Sequence, residues 1–173
     1  MAASYMIGID LGTTNSVVSY IQTGVENAAV ELLNIQQLTS PSTIENRYSL
    51  PSFCYIATMA EKDKGSYDLP WQKKSGFLVG ELARKQAADV PLRTVAAAKS
   101  WLAYSKVDRR EPILPWNAPE DVEKISPVEA SKRYLEHIVS AWNTQFPESP
   151  LDKQQVVLTV PASFDVSARE LTM

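Results

Sequence analysis

The chain has 173 residues, 45% of them apolar and 21% charged, with a formal net charge of -3. This is enough for one domain with a real core, or for one lobe of a larger protein, and the charge is too small to point to nucleic acid or an anionic membrane as the main partner. A single cysteine, Cys54, and a single histidine, His137, exclude an internal disulfide and a cysteine-rich zinc site and leave no Ser-His-Asp arrangement to pursue. Cys54 lies in an apolar run and is expected in the core; His137, at helical spacing, is expected at the surface or its boundary. No apolar run approaches the roughly 18 residues that suggest a membrane span. The N-terminus lacks the charged and apolar regions of a secretory signal, so a cytoplasmic protein is the expectation.

Tyr5 to Leu11 and Ser16 to Gln22 read as strands, with Gly12 to Asn15 turning between them. A third strand is expected near Ala29 to Ile35, then a polar loop from Thr39 to Ser49. Pro51 suits the head of a further strand, Ser52 to Thr58. Glu61 to Lys74 reads as an exposed excursion, and Phe77 to Val79 as a short strand ending at Gly80. Helix is expected from Glu81 to about Ala88, stopping before Pro91, and again from Thr94 to Ala103. Residues 104–125, with three prolines, read as an irregular loop. Ser126-Pro127-Val128-Glu129 then gives a hydroxyl N-cap, proline at the first helical position and glutamate at the third. Val128, Leu135, Ile138, Val139 and Trp142 follow on one face, which is expected to be core. Val156 to Val160 reads as a buried strand, and Asp165 as the cap of a last short helix, Val166 to Met173. Adjacent early strands suit an antiparallel meander, and a late strand between helices suits a parallel crossover. The expected fold is a mixed α/β sheet with flanking helices. The last pattern has neither a glycine cap nor a polar tail, so truncation of a longer protein is expected.

The turn carries the most chemistry. Gly12 allows close backbone approach, Thr13 and Thr14 add hydroxyls, and Asn15 adds an amide. Converging backbone N–H groups in such a turn favour an anion. Asp10, at the end of the first strand, could hold Mg²⁺ through waters, because Mg²⁺ dehydrates reluctantly. A plain hairpin with glycine at its bend explains the same residues, and both readings stay open on this stretch alone. It is neither a Walker loop nor a dinucleotide fingerprint, since no Gly-Lys-Ser/Thr is present and a strand, not a helix, follows.

Ile7-Gly8-Ile9-Asp10-Leu11-Gly12-Thr13-Thr14-Asn15-Ser16 resembles the first phosphate motif of the seventy-kilodalton heat-shock chaperones, the DnaK type. Further stretches agree in order. Leu50-Pro51-Ser52 resembles the family's Thr-Pro-Ser, and Val79-Gly80-Glu81-Leu82-Ala83-Arg84-Lys85-Gln86-Ala87 its Val-Gly-x-x-Ala-(basic)-x-Gln-Ala helix. Ala97-Ala98-Lys99-Ser100-Trp101-Leu102 resembles its Lys-Arg-Leu segment. Val157-Leu158-Thr159-Val160-Pro161-Ala162-Ser163-Phe164 with Arg169 resembles its Ile-Thr-Val-Pro-Ala-Tyr-Phe…Arg segment.

The resemblance implies an actin-like ATPase (ribonuclease H-like) fold, of which residues 1–173 form the first lobe. It implies ATP or ADP with Mg²⁺ as ligands. Asp10 would sit near the metal through water, Gly12, Thr13, Thr14 and Asn15 would line the phosphates, and Lys99 would be the catalytic cation. Pro161 and Arg169 would relay nucleotide state to a peptide-binding domain. Read alone, Lys99 is a solvated helix lysine, Pro161 ends a strand and Arg169 is a surface charge. The implied partners are the remaining lobe and peptide-binding domain of the parent chain, unfolded clients and co-chaperones. Leu50, Ser100 and Val166 depart from the family pattern, the last replacing an acidic residue, and the family's arginines after Leu102 are absent. These departures bear on the relay more than on the phosphate site and suggest a divergent bacterial member. A sugar-type kinase lobe of the same superfamily and a non-catalytic scaffold are the alternative readings.

Overall fold

A computed structural model of the chain describes residues 3–161 and 164–172. Ala162 and Ser163 of the Val-Pro-Ala-Ser-Phe stretch, and Met173 of the expected last helix, lie outside the described residues. In chain order the elements begin with β1 (Tyr5–Leu11), β2 (Asn15–Gln22) and β3 (Glu31–Leu32). A hairpin of β4 (Ile35–Ser40) and β5 (Thr43–Arg47) follows, then β6 (Leu50–Pro51), β7 (Phe53–Ile56), α1 (Met59–Lys64), β8 (Phe77–Val79) and α2 (Glu81–Asp89). The rest is β9 (Thr94–Ala96), α3 (Ala98–Ala103), α4 (Pro127–Gln145), β10 (Gln155–Thr159) and α5 (Val166–Glu170).

The central sheet runs β10-β1-β2-β3, with β6 also paired to β2. β1, β2 and β3 are antiparallel, as the meander requires, and β10 joins β1 in parallel. The sheet is therefore mixed, with helices packed on it. A second sheet, β8-β7-β9, carries Cys54, which is fully buried as expected. Burial pushes the Cys54 thiol up to about 11, so it is an unreactive core residue.

α4 seals one face of the central sheet. Its N-terminus is built as the sequence indicates: Ser126 Oγ accepts from the Glu129 amide at 3.0 Å, and Pro127 takes the first turn. Ala130, Tyr134, Ile138, Ala141 and Trp142 turn inward onto Ile7, Ile9, Leu11, Val18 and Tyr20. Tyr5, Tyr20, Trp142 and Phe146 pack ring on ring, Trp142 and Phe146 at 4.4 Å between centroids.

Several sequence expectations change. The polar stretch after Thr39 is half of the β4–β5 hairpin, whose outer strand is exposed throughout. Alternation was masked because Gln37 is fully buried: its Nε2 donates to Ser49 O at 2.9 Å and its Oε1 accepts from the Glu81 amide at 2.9 Å. Gly80, at φ 92, leaves room for that amide; a Cβ there would meet Gln37 Oε1 at 2.7 Å. The charged excursion after Glu61 starts as helix α1, closed by a Thr58–Glu61 capping box, and buries Tyr67 and Leu69. The expected helix from Thr94 splits into β9 and α3 at Ala97, which takes the left-handed φ of 53. On α4, Val128, Leu135 and Val139 are only partly buried and face a cavity of about 720 Å³.

His137 is buried, not at the surface. Its Nε2 donates to Gln36 O at 2.8 Å and its ring meets Trp71 edge-on at 5.4 Å. β10 is not buried either: Val157 is 56% exposed. It is the sheet's edge among the described residues, and its register partner on β1 is Gly8, which offers no side chain to cover it.

Candidate functional site

The antiparallel β1–β2 pair and the parallel β1–β10 pair bring Asp10, the Gly12–Asn15 turn and Thr159 to one end of the sheet. The turn is tight because only glycine fits its first position: a Cβ on Gly12 would collide with Asn15 O. Ser52 holds it from behind. Its Oγ donates to Gly12 O at 2.8 Å and its amide donates to Thr14 O at 2.8 Å. With the carbonyls thus engaged, the Thr13 and Thr14 amides have no acceptor among the described residues, and both residues are exposed. This is a free set of N–H and hydroxyl donors at a fixed turn, the composition that attracts an anion.

Asp10 is exposed beside it, and Thr159 Oγ1 donates to its Oδ1 at 2.9 Å. No group of three or more His, Cys, Asp or Glu among the described residues is arranged to hold a metal. A lone carboxylate fits an ion that keeps most of its water, as Mg²⁺ does.

Lys99 reaches the base of the same turn from the first turn of α3. The left-handed Ala97 redirects the chain from β9 into α3. The Lys99 ammonium then donates to Leu11 O, the carbonyl just before Gly12. Lys99 is only 7% exposed. Burial lowers its pKa below the ordinary lysine value, while the Asp10 carboxylate pulls the other way. One of its three donors is spent on Leu11, so two remain for an incoming acceptor. It is therefore not the solvated helix lysine that its sequence context alone suggests. Its other neighbour is Phe164, whose ring centroid lies 5.9 Å from Nζ, within cation–π range.

Pro161 and Arg169 flank Phe164. Pro161 follows β10 by two positions and its carbonyl accepts from the Phe164 amide at 3.1 Å. Arg169, exposed on α5, donates from Nε to Phe164 O at 3.1 Å. The structure thus brings Asp10, Gly12 to Asn15 and Lys99 together, and joins Pro161 and Arg169 to Phe164, which borders Lys99. Thr159 and Ser52 are site residues that the sequence reading did not single out. Thr159 had a signal, a hydroxyl inside an apolar strand; Ser52 had only its place after Leu-Pro. The cavity of about 720 Å³ lies elsewhere, between α4 and residues 67–79, and no residue of the turn lines it. Donor chemistry, not volume, makes the turn the candidate site.

No protein-family model matches the chain. It is 31% identical over 178 residues to the chaperone protein HscA of Enterobacter sp. (strain 638) and 30% identical over 179 residues to HscA of Xenorhabdus nematophila. It is 26% identical over 182 residues to the chaperone protein dnaK of Trieres chinensis. The alignments take in 95–97% of the chain and 24–25% of each relative. Over almost its whole length the chain is thus similar to part of chaperones of the seventy-kilodalton heat-shock (DnaK) type. It spans about a quarter of the length of the chaperones it matches. No helix among the described residues is long and apolar enough to cross a membrane.

Proposed function

We propose that this chain is the first lobe of an actin-like ATPase domain and that its parent couples ATP hydrolysis to the binding or folding of client proteins. The carrying observation is the meeting of Lys99 with the Gly12 turn at Leu11 O, next to Asp10. In this reading the Thr13 and Thr14 amides and hydroxyls, with Asn15, hold the β- and γ-phosphates of ATP. Asp10, kept in place by Thr159, holds Mg²⁺ through water. The ion would neutralise phosphate charge. Lys99 supplies a fixed cation from a site nearly closed to water, where it offsets the charge that develops on the transferred phosphoryl group. Similarity to the DnaK and HscA chaperones supports ATP and ADP as the ligands over a sugar-kinase reading.

Pro161 and Arg169 are assigned to the relay toward a peptide-binding domain, because both bond to Phe164, which borders Lys99. The partners proposed are the rest of the parent chain, client proteins and co-chaperones, in the cytoplasm. Val166 favours a second reading for this part alone. It is 74% exposed where the family pattern has an acid, so the fold could serve as a scaffold without co-chaperone coupling.

The test is Lys99→Ala in the full-length protein. ATP hydrolysis is expected to fall on the order of 100-fold or more; unchanged hydrolysis would remove Lys99 from the mechanism. Residues 1–173 alone are expected to bind ATP weakly and not turn it over, since the described residues at the turn offer phosphate-binding donors but no pocket for adenine. Micromolar affinity in isothermal titration, or steady hydrolysis, would contradict this.

A further inference from the structure

Residues 104–125 looked like a loop without a role, yet one side chain of the loop is locked in place. Arg109 is 8% exposed and grips Asp165 with both arms of its fork, Nη1 to Oδ1 at 3.0 Å and Nη2 to Oδ2 at 2.6 Å. Its own carbonyl accepts from the Val128 amide in the first turn of α4, at 3.4 Å, which ties its backbone to the long helix. Asp165 Oδ1 also accepts from the Ala168 amide at 2.7 Å, so the same carboxylate caps α5. The Arg109 fork holds the Asp165 carboxyl below the usual carboxylate range. Asp165 directly follows Phe164, which is buried against Leu102 of α3 and Ala168 of α5. Phe164 in turn borders the Lys99 ammonium.

We propose that Arg109 is a positioning residue for Lys99, acting through Asp165 and Phe164. This rests on the reading of Lys99 as the phosphate-facing cation. A bidentate fork fixes orientation as well as distance, which a single ammonium cannot do. Held at Asp165, the chain can present Phe164 to Lys99 in one place only, and α5 starts in one direction only. Releasing the fork lets Phe164 withdraw, opens the Lys99 pocket to water and loosens the ammonium over the turn. The loop would thereby control the lysine from outside the nucleotide site, at the point where Pro161 and Arg169 also attach.

Two measurements test it, on Arg109→Lys, Arg109→Gln and Asp165→Asn. In residues 1–173 with ¹³C-labelled lysine, the Lys99 side-chain signal is titrated with pH. Each variant is expected to move the Lys99 titration up toward the ordinary lysine value. In the full-length protein, kcat for ATP is expected to fall about tenfold with KM nearly unchanged, and the double variant Arg109→Gln with Asp165→Asn is expected to lose no more than either single one. An unmoved Lys99 titration in a folded variant overturns the proposal, whatever hydrolysis does. A moved titration with unchanged kcat keeps Arg109 as the positioning residue and instead rejects Lys99 as the catalytic cation. Asp165→Asn, nearly isosteric and half-exposed, keeps the test open if the arginine variants do not fold.

Discussion

Lys99 stands between two walls of opposite construction. On one side is the Gly12 turn, closed by the β1–β2 ladder, by two bonds from Ser52 and by a backbone approach that admits no side chain at Gly12. On the other side is Phe164, held by apolar contact with α3 and α5 and by one fork from Arg109, 56 residues away, on an Asp165 side chain that is 50% exposed. The first wall cannot move without breaking the central sheet. The second can move when a single ion pair opens. A phosphate site needs the first kind of wall, and a relay needs the second.

The comparison can be broken at the turn first. Gly12→Ala is expected to cost roughly 3 kcal/mol or more, because the clash is with backbone that has nowhere to go; urea unfolding reads it, and a loss under 1 kcal/mol would mean the turn is adjustable after all. Acid should then loosen the packing of α4 before it opens the Arg109–Asp165 pair. Burial lowers the His137 pKa from 6.5 to about 4, so the folded form carries the neutral ring. Its share of stability is complete above pH 6.5 and is lost as pH falls toward 4, about 3 kcal/mol in all. The Asp165 pKa is lowered by Arg109, so the ion pair survives to a lower pH than an ordinary carboxylate would allow. Unfolding free energy measured across this range should decline well before Asp165 protonates, and His137→Gln should flatten the decline.

Ser52→Ala should weaken the turn by about 1 kcal/mol, the worth of its bond to Gly12 O. The smallest effect on stability is expected from Asp165→Asn: faster amide exchange at Ala168 and Arg169, with the turn amides unchanged. Faster exchange at Thr13 and Thr14 in that variant would show that the two walls are one unit.

The sequence made the fixed wall legible and left the movable one obscure, for a physical reason. Gly12, Thr13 and Thr14 form a local turn between two alternating strands, so neighbours in the chain are neighbours in space. The α4 helix was legible through its Ser126-Pro127 start, although its core face came out rotated. Ala130, Tyr134 and His137 turn inward, and only tertiary packing decides that. Lys99 needed the family pattern, because its partner Leu11 O lies 88 residues away. Arg109 gave no signal at all, since its role depends on a carboxylate 56 residues distant. The β4–β5 hairpin was missed because Gln37, a polar residue in a polar stretch, is buried through its hydrogen bonds rather than its apolarity.

The most direct measurement is a titration of ¹⁵N-labelled residues 1–173 with Mg²⁺-ATP at millimolar concentrations, followed by amide chemical shifts. Saturable shifts are predicted at Gly12, Thr13, Thr14 and Asn15, matched by the Lys99 side chain. Shifts confined to the cavity beside α4, or none at the turn, would contradict a phosphate site at the end of β1.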